Sequence, residues 1–196
     1  MRTDFQFLLI QQDNGVLTIT MNRPEVYNAF NDTMLTELGE ATEAAAADEA
    51  IRCVVITGAG KAFGSGQDLN SFKARHARQE PFELGTGLGK YHRIVRNIRS
   101  MQKPVIAAVK GPAAGASCNL ALACDLRIVS EEARFIEAFA RIGLIPDAGG
   151  GFFLPQLVGV GKALELAMLA DEVSGPEAVQ IGLANKCFPA AEYEEG

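Results

Sequence analysis

Hydrophobic positions along the chain switch between a period of two and a period near 3.6, and this alone sets out the elements. Residues 5–11 and 16–21 are short apolar-rich runs separated by Asp13-Asn14-Gly15, which reads as a hairpin. Asn22-Arg23-Pro24 ends the second run, because proline cannot donate to a β ladder. Leu35, Leu38, Ala41 and Ala45 then recur at helical spacing behind Asn31 and Asp32, either of which can cap a helix. Residues 53–57 read Cys-Val-Val-Ile-Thr with no polar alternation, the pattern of a strand covered on both faces.

The cycle then repeats. Tyr91, Ile94, Val95 and Ile98 form a second helical stripe, residues 104–109 a second apolar strand, and residues 111–115 a small-residue loop feeding a helix over 117–123. A strand at 126–129 and helical patterns at 162–169 and 176–181 follow. Strand, loop, helix and strand at these spacings predict right-handed crossovers and a mostly parallel sheet in one α/β domain spanning 1–196. Both glycine- and alanine-rich loops, 58–66 and 111–115, would leave the carboxyl ends of buried strands, where open α/β sheets place their ligands.

Composition narrows the classes. Of 196 residues 48% are hydrophobic and 21% charged, enough apolar material for a substantial core and too much for a disordered chain. The net charge of -6 argues against nucleic acid or an anionic membrane as partner. The densest basic cluster, Lys73, Arg75, His76 and Arg78, could meet a polyphosphate and equally reads as a solvated helix face. Cys53, Cys118, Cys124 and Cys187 form no CxxC pair and suit free thiols in a reducing compartment. No apolar run approaches the roughly 18 residues needed to span a bilayer. The expectation is a soluble, cytoplasmic protein with no metal site.

The loop Gly58-Ala59-Gly60-Lys61-Ala62-Phe63-Gly64-Ser65-Gly66 invites a phosphate reading that fails on detail. For a dinucleotide fingerprint its third glycine falls one place late, and Ser65-Gly66 prolongs the irregular backbone past a helix start. A phosphate-binding loop would need serine or threonine after Gly60-Lys61, where Ala62 stands. The glycines can still turn backbone NH groups into a cleft. The second loop, Gly111-Pro112-Ala113-Ala114-Gly115-Ala116-Ser117, sits in the same strand-to-helix context, and two converging NH sources make an oxyanion hole.

Five stretches carry a resemblance that spans nearly the whole chain: Asn22-Arg23-Pro24-Glu25-Val26-Tyr27-Asn28-Ala29-Phe30; Gly60 to Leu69, read GKAFGSGQDL; Lys103 to Gly111, read KPVIAAVKG; Cys124-Asp125-Leu126-Arg127-Ile128-Val129; and Gly143-Leu144-Ile145-Pro146-Asp147-Ala148-Gly149-Gly150. In their order and spacing the chain resembles the enoyl-CoA hydratase/isomerase (crotonase) superfamily. The resemblance implies a crotonase-like ββα superhelix that lacks most of the usual C-terminal helical extension. It implies an acyl-CoA thioester substrate, with coenzyme A as part of the substrate and no permanently bound cofactor, and a homo-oligomer, either a trimer or a dimer of trimers. It places the two oxyanion-hole NH groups on Gln67 and Ala116. Contacts with coenzyme A fall on Val26, on Ala62, Phe63, Gly64, Ser65, Gly66, Gln67, Asp68 and Leu69, and on Ala116. Asp68 alone also reads as a turn or helix cap.

The reaction turns on carboxylates. Hydration of an enoyl-CoA uses two glutamates around a water, and the matching positions here hold Asn119 and Phe139, neither of which takes a proton at ordinary pH. Asp147, read from sequence alone, could cap a helix beginning near Gly149. Under the resemblance it falls where a subset of isomerases carries a catalytic aspartate. Asn119, Phe139 and Ile145-Pro146-Asp147 look most like the phenylacetate-pathway isomerases, which act on the ring epoxide of phenylacetyl-CoA and on β,γ-enoyl-CoAs. An exposed aspartate titrates near pH 3.9, so such a base needs an apolar pocket, with Phe63, Phe135, Phe139, Ile142 and Leu144 as candidate walls or as plain core. Glu137 is the competing acid/base if its strand turns it inward. Alternatives are a hydratase, a non-catalytic acyl-CoA binder, in which Asp147 has no purpose, and a nucleophilic enzyme using Ser117 or Cys118, poorly served by His76 and His92 in polar helical segments.

Overall fold

Asn14 and Gly15 both adopt positive φ, 48° and 82°, the conformation that lets a two-residue turn follow strand twist. They fold β1 (Leu8–Asp13) back onto β2 (Val16–Met21) in antiparallel register, Asp13 opposite Val16. The computed structural model describes residues 2–68 and 84–193. Leu69 and the basic cluster at 73–78 therefore lie outside the described residues.

After β2 the chain enters a short 3-10 helix at Pro24–Val26 and then α1 (Asp32–Ala47). Of the two possible caps it is Asn31 that acts, its side chain accepting from the Met34 NH at 2.8 Å. α1 buries Leu35, Leu38, Ala41 and Ala45, the predicted stripe. β3 (Cys53–Gly58) pairs in parallel with β2, and no residue on it is exposed, although one face is only half-buried. α2 (Leu84–Ser100) returns the chain to β4 (Val105–Val109), burying Tyr91, Ile94 and Ile98 on the way. Val95 stays half-buried against the core.

The loop expected over 111–115 holds a strand instead, β5 (Pro112–Ala114), followed by α3 (Ala116–Ala123), β6 (Leu126–Ser130), β7 (Arg134–Ile136) and a 3-10 helix at Ala138–Ile142. Then come α4 (Gly150–Val158), α5 (Val160–Leu169), β8 (Glu172–Ser174), α6 (Gly175–Gln180) and β9 (Lys186–Phe188). The main sheet has six strands in the order β1-β2-β3-β4-β6-β9, parallel throughout except for the opening hairpin. A second sheet of three strands, β5-β7-β8, stands apart from it. The core between sheet and helices is filled by Leu17, Ile19, Phe30, Met34, Val54, Ile56 and Val105, all essentially inaccessible to solvent. Among the described residues no helix is long and apolar enough to cross a membrane.

The two glycine-bearing loops are stitched together. Gly64 NH donates to the Pro112 carbonyl at 3.1 Å, and Ala114 NH donates to the Gly64 carbonyl at 2.9 Å. Gly111 makes this approach possible: a Cβ there would lie 1.9 Å from the Lys61 carbonyl oxygen, so only glycine fits.

Candidate active site

Backbone bonds in the first loop fix which NH groups remain free. Phe30 NH donates to the Gly66 carbonyl and Asp68 NH to the Phe30 carbonyl, a parallel bridge that leaves the intervening Gln67 NH facing the other way. Ser117 Oγ, fully buried on α3, accepts the Gly66 NH at 3.0 Å and so ties this loop to the first turn of the helix that starts at Ala116. Gly66 sits at φ 86°, and a Cβ there would lie 2.9 Å from the Ala114 carbonyl oxygen and 3.5 Å from the Ala116 nitrogen. Neither the Gln67 NH nor the Ala116 NH has an acceptor among the described residues. The two predicted oxyanion donors are thus neighbours across the stitched loops. The Ala116 NH also belongs to the positive end of α3, which favours negative charge.

The remaining predicted contacts divide by exposure. Ser65 is exposed, and its Oγ donates to the Val26 carbonyl at 3.2 Å, which joins the 3-10 turn to the loop. Ala62, Phe63, Gly64 and Gly66 are buried, so the loop presents backbone rather than side chains. Asp68 pairs with Arg23 at 3.0 Å in a largely buried ion pair, and the residues that follow it lie outside the described ones. Asn28 is a residue that sequence reasoning passed over. Wholly buried, it accepts from Arg23 NH and donates to the Ala59 and Ala62 carbonyls, bracing the Pro24–Val26 turn against the glycine loop.

Asp147 does not cap α4. The helix N-cap is Gly149, with no side-chain cap bond, and it is the main-chain carbonyl of Asp147 that accepts Gly150 NH at 2.7 Å. Ala148 and Gly149 take positive φ, 44° and 88°, a strained turn that presents the Asp147 carboxyl instead of folding it over the helix end. Its Oδ1 is buried with no partner. Burial raises its pKa from 3.8 to about 6, opposed by its own backbone NH and by His92.

Three further residues gather here. Tyr91, buried on α2, donates its hydroxyl to Gln67 Oε1 at 2.6 Å, and its own pKa is raised by burial and then by the nearby Asp147 charge. Its place in the apolar stripe was legible, but its polar tip gave no sign of a target. His92, read from sequence as an uninvolved helical histidine, lies close enough to Asp147 to favour its charged form. Asn119, wholly buried, donates from Nδ2 to the Asp147 main-chain carbonyl at 3.0 Å.

Phe139 packs beside Gly115, where an added Cβ would sit 3.8 Å from the ring edge, which puts this candidate wall at the second glycine loop. Phe63 and Phe135 belong to the general core. Ile142 and Leu144 are not walls in this chain: they are 59% and 58% exposed, because Gly143 at φ 71° ends the 3-10 helix and sends the chain over the surface. Glu137 does turn inward, as the alternation Ala133, Phe135, Glu137, Phe139 on the buried side requires. Glu137 lines a small cavity with Cys118, Leu154, Leu166 and Leu183, and its side chain interacts with Asn119 and Asp147.

Known proteins match this arrangement. The family model described as "Enoyl-CoA hydratase/isomerase" matches residues 11–196. The chain is 41% identical over 179 residues to "1,2-epoxyphenylacetyl-CoA isomerase" of Escherichia coli (strain K12), covering 91% of this chain and 68% of that protein. It is 38% identical over 183 residues to "Crotonyl-CoA hydratase" of Syntrophomonas wolfei, covering 93% and 69%. An enoyl-CoA hydratase structure from Mycobacterium avium subsp. paratuberculosis K-10 superposes with a TM-score of 0.87 at 34% identity, covering 97% of this chain and 72% of that one. Isomerases and hydratases thus share this fold. With a matching model over nearly its full length and relatives well above 30% identity, the chain belongs to the enoyl-CoA hydratase/isomerase family.

Proposed function

We propose that the protein is an acyl-CoA isomerase in which Asp147 moves a proton while the Gln67 and Ala116 NH groups hold a thioester enolate. The Asp147 carboxylate takes a proton from C2 of a β,γ-enoyl-CoA. The electron pair of the broken C–H bond passes into the thioester carbonyl, whose oxygen becomes the enolate anion between the two NH donors. The carboxyl then returns its proton to C4, the double bond settles between C2 and C3, and the carboxylate is regenerated. One base suffices, and no water is consumed.

The observation that carries this reading is Asp147 itself: a carboxyl presented by a strained turn, raised to about 6 and therefore a far stronger base than an exposed aspartate, yet still ionised at neutral pH. Asn119 and Phe139 stand where a hydratase would need carboxylates, so water addition has no acid/base pair. A ring-epoxide phenylacetyl-CoA, the kind of substrate in the name of the Escherichia coli relative, is a second substrate for the same anion hole. Incubation with a β,γ-enoyl-CoA, following the conjugated thioester, tests the reading. Conversion by wild type and its loss by about 10²- to 10⁴-fold in Asp147→Asn is expected. An inert wild type, or an equally active variant, overturns it.

A further inference from the structure

Asn119 joins the two halves of the site. It lies on α3 one turn beyond Ala116, and its main-chain NH donates to the Gly115 carbonyl at 3.1 Å, the bond that closes the first turn of the helix. Its side chain crosses to the segment that carries Asp147, where Nδ2 donates to the Asp147 main-chain carbonyl at 3.0 Å. The amide is seated there as well as bonded. A Cβ on Gly150, the first residue of α4, would fall onto the Asn119 amide and meet its carbon, oxygen and nitrogen alike, so the lack of a side chain at 150 is what admits the amide. Asn119 is inaccessible to solvent, and its Oδ1 is buried with no partner. An orphaned buried acceptor is a penalty that an apolar side chain of similar size would avoid. What the amide contributes is a donor, aimed at the carbonyl that begins the strained turn through Ala148 and Gly149.

We propose that Asn119 is a positioning residue that fixes the Asp147 carboxyl relative to the Ala116 NH by holding the 147–149 turn to the first turn of α3. Gly150 is its counterpart, because only a residue without a side chain leaves room for the amide. The Asp147 carbonyl also accepts the Gly150 NH at 2.7 Å, so it is shared between its own turn and α3. Without the amide it retains the local bond and loses its tie to α3, and Ala148, at φ 44°, is freer to leave the left-handed region. A carboxyl displaced by about 1 Å from the carbon it must deprotonate loses up to about 10²-fold in rate, while the NH groups that bind the thioester stay where they are. The effect therefore falls on kcat rather than on KM.

The kinetic part of this inference rests on the reading of Asp147 as the base; the support of the turn does not. Wild type, Asn119→Ala, Gly150→Ala and the double variant are compared. Alanine at 119 removes the donor, and alanine at 150 pushes the amide off its seat. Each single change lowers kcat at least about tenfold and leaves KM within about threefold. In the double variant the methyl group at 150 enters the space that the amide vacated, so thermal stability rises above that of Asn119→Ala, while kcat stays low because the donor is still missing. Packing alone would restore stability and kcat together. That joint recovery, or an Asn119→Ala enzyme with kcat within about threefold of wild type, overturns the inference. Crystal structures of wild type and Asn119→Ala give a readout that needs no turnover: a 147–149 turn displaced by about 1 Å or more, with Ala116 in place, is expected, and an unmoved turn overturns the inference. An inert wild type together with a displaced turn sinks the isomerase reading and leaves Asn119 standing as the support of the turn.

Discussion

Tyr91 donates its phenolic hydrogen to Gln67 Oε1 across 2.6 Å, and so ties helix α2 to the residue whose main-chain NH is one half of the proposed anion hole. The bond is partly buried, and the same phenol feels the Asp147 charge. Tyr91→Phe leaves the ring packing against Phe30 but strands the Gln67 amide oxygen. We expect a stability loss of about 1 to 2 kcal/mol in urea unfolding. We also expect a roughly tenfold fall in kcat with a smaller change in KM, because a misplaced donor costs more against the charge of the transition state than against the ground-state carbonyl.

Gly66 offers a harsher test of the stitched loops. Its φ of 86° and the Ala114 carbonyl 2.9 Å from a would-be Cβ mean that Gly66→Ala must twist the chain at the Gln67 donor. The expected cost is about 2 to 4 kcal/mol of stability, and loss of a single oxyanion donor lowers kcat by roughly 10²- to 10³-fold. Thermal unfolding and steady-state kinetics read the two effects separately.

Stability should fall with rising pH on account of Glu137. Its folded pKa of about 7 exceeds the ordinary 4.5, so the folded state binds the proton more tightly than the unfolded chain. The stabilisation is complete below pH 4.5 and is lost as pH rises through 7. Asp147, moved from 3.8 to about 6, acts in the same direction over a lower window. Glu137→Gln cannot titrate, so its stability relative to wild type should increase between pH 5 and pH 8 and level off above. Urea midpoints across that range measure it.

Much of this architecture could be read from residue order. The turn at Asn14-Gly15, a cap at Asn31 or Asp32, of which Asn31 acts, and the stripe from Leu35 to Ala45 follow from local chemistry. The second sheet was not legible. β5 is Pro-Ala-Ala, a poor strand former, held in place by main-chain bonds to Gly64 and by pairing with β7, contacts distant in sequence. β7, β8 and β9 have three residues each, too few for a period to register. In the site, Asp147 and the two NH donors came from motif position. Tyr91, His92 and Asn28 did not, because each acts on a partner from a remote segment, and spacing along the chain says nothing about that meeting.

The central claim is that one carboxylate, Asp147, carries a proton from C2 to C4 of an enoyl thioester held at the Gln67 and Ala116 NH groups. The most direct measurement uses a β,γ-enoyl-CoA deuterated at C2 and locates the label in the conjugated product. The account predicts conversion by wild type with part of the deuterium appearing at C4, a pH-rate profile that falls on the acid side near pH 6, and at least a hundredfold loss in Asp147→Asn. Conversion that is undiminished in Asp147→Asn, or a wild type that leaves the substrate unchanged, would contradict it.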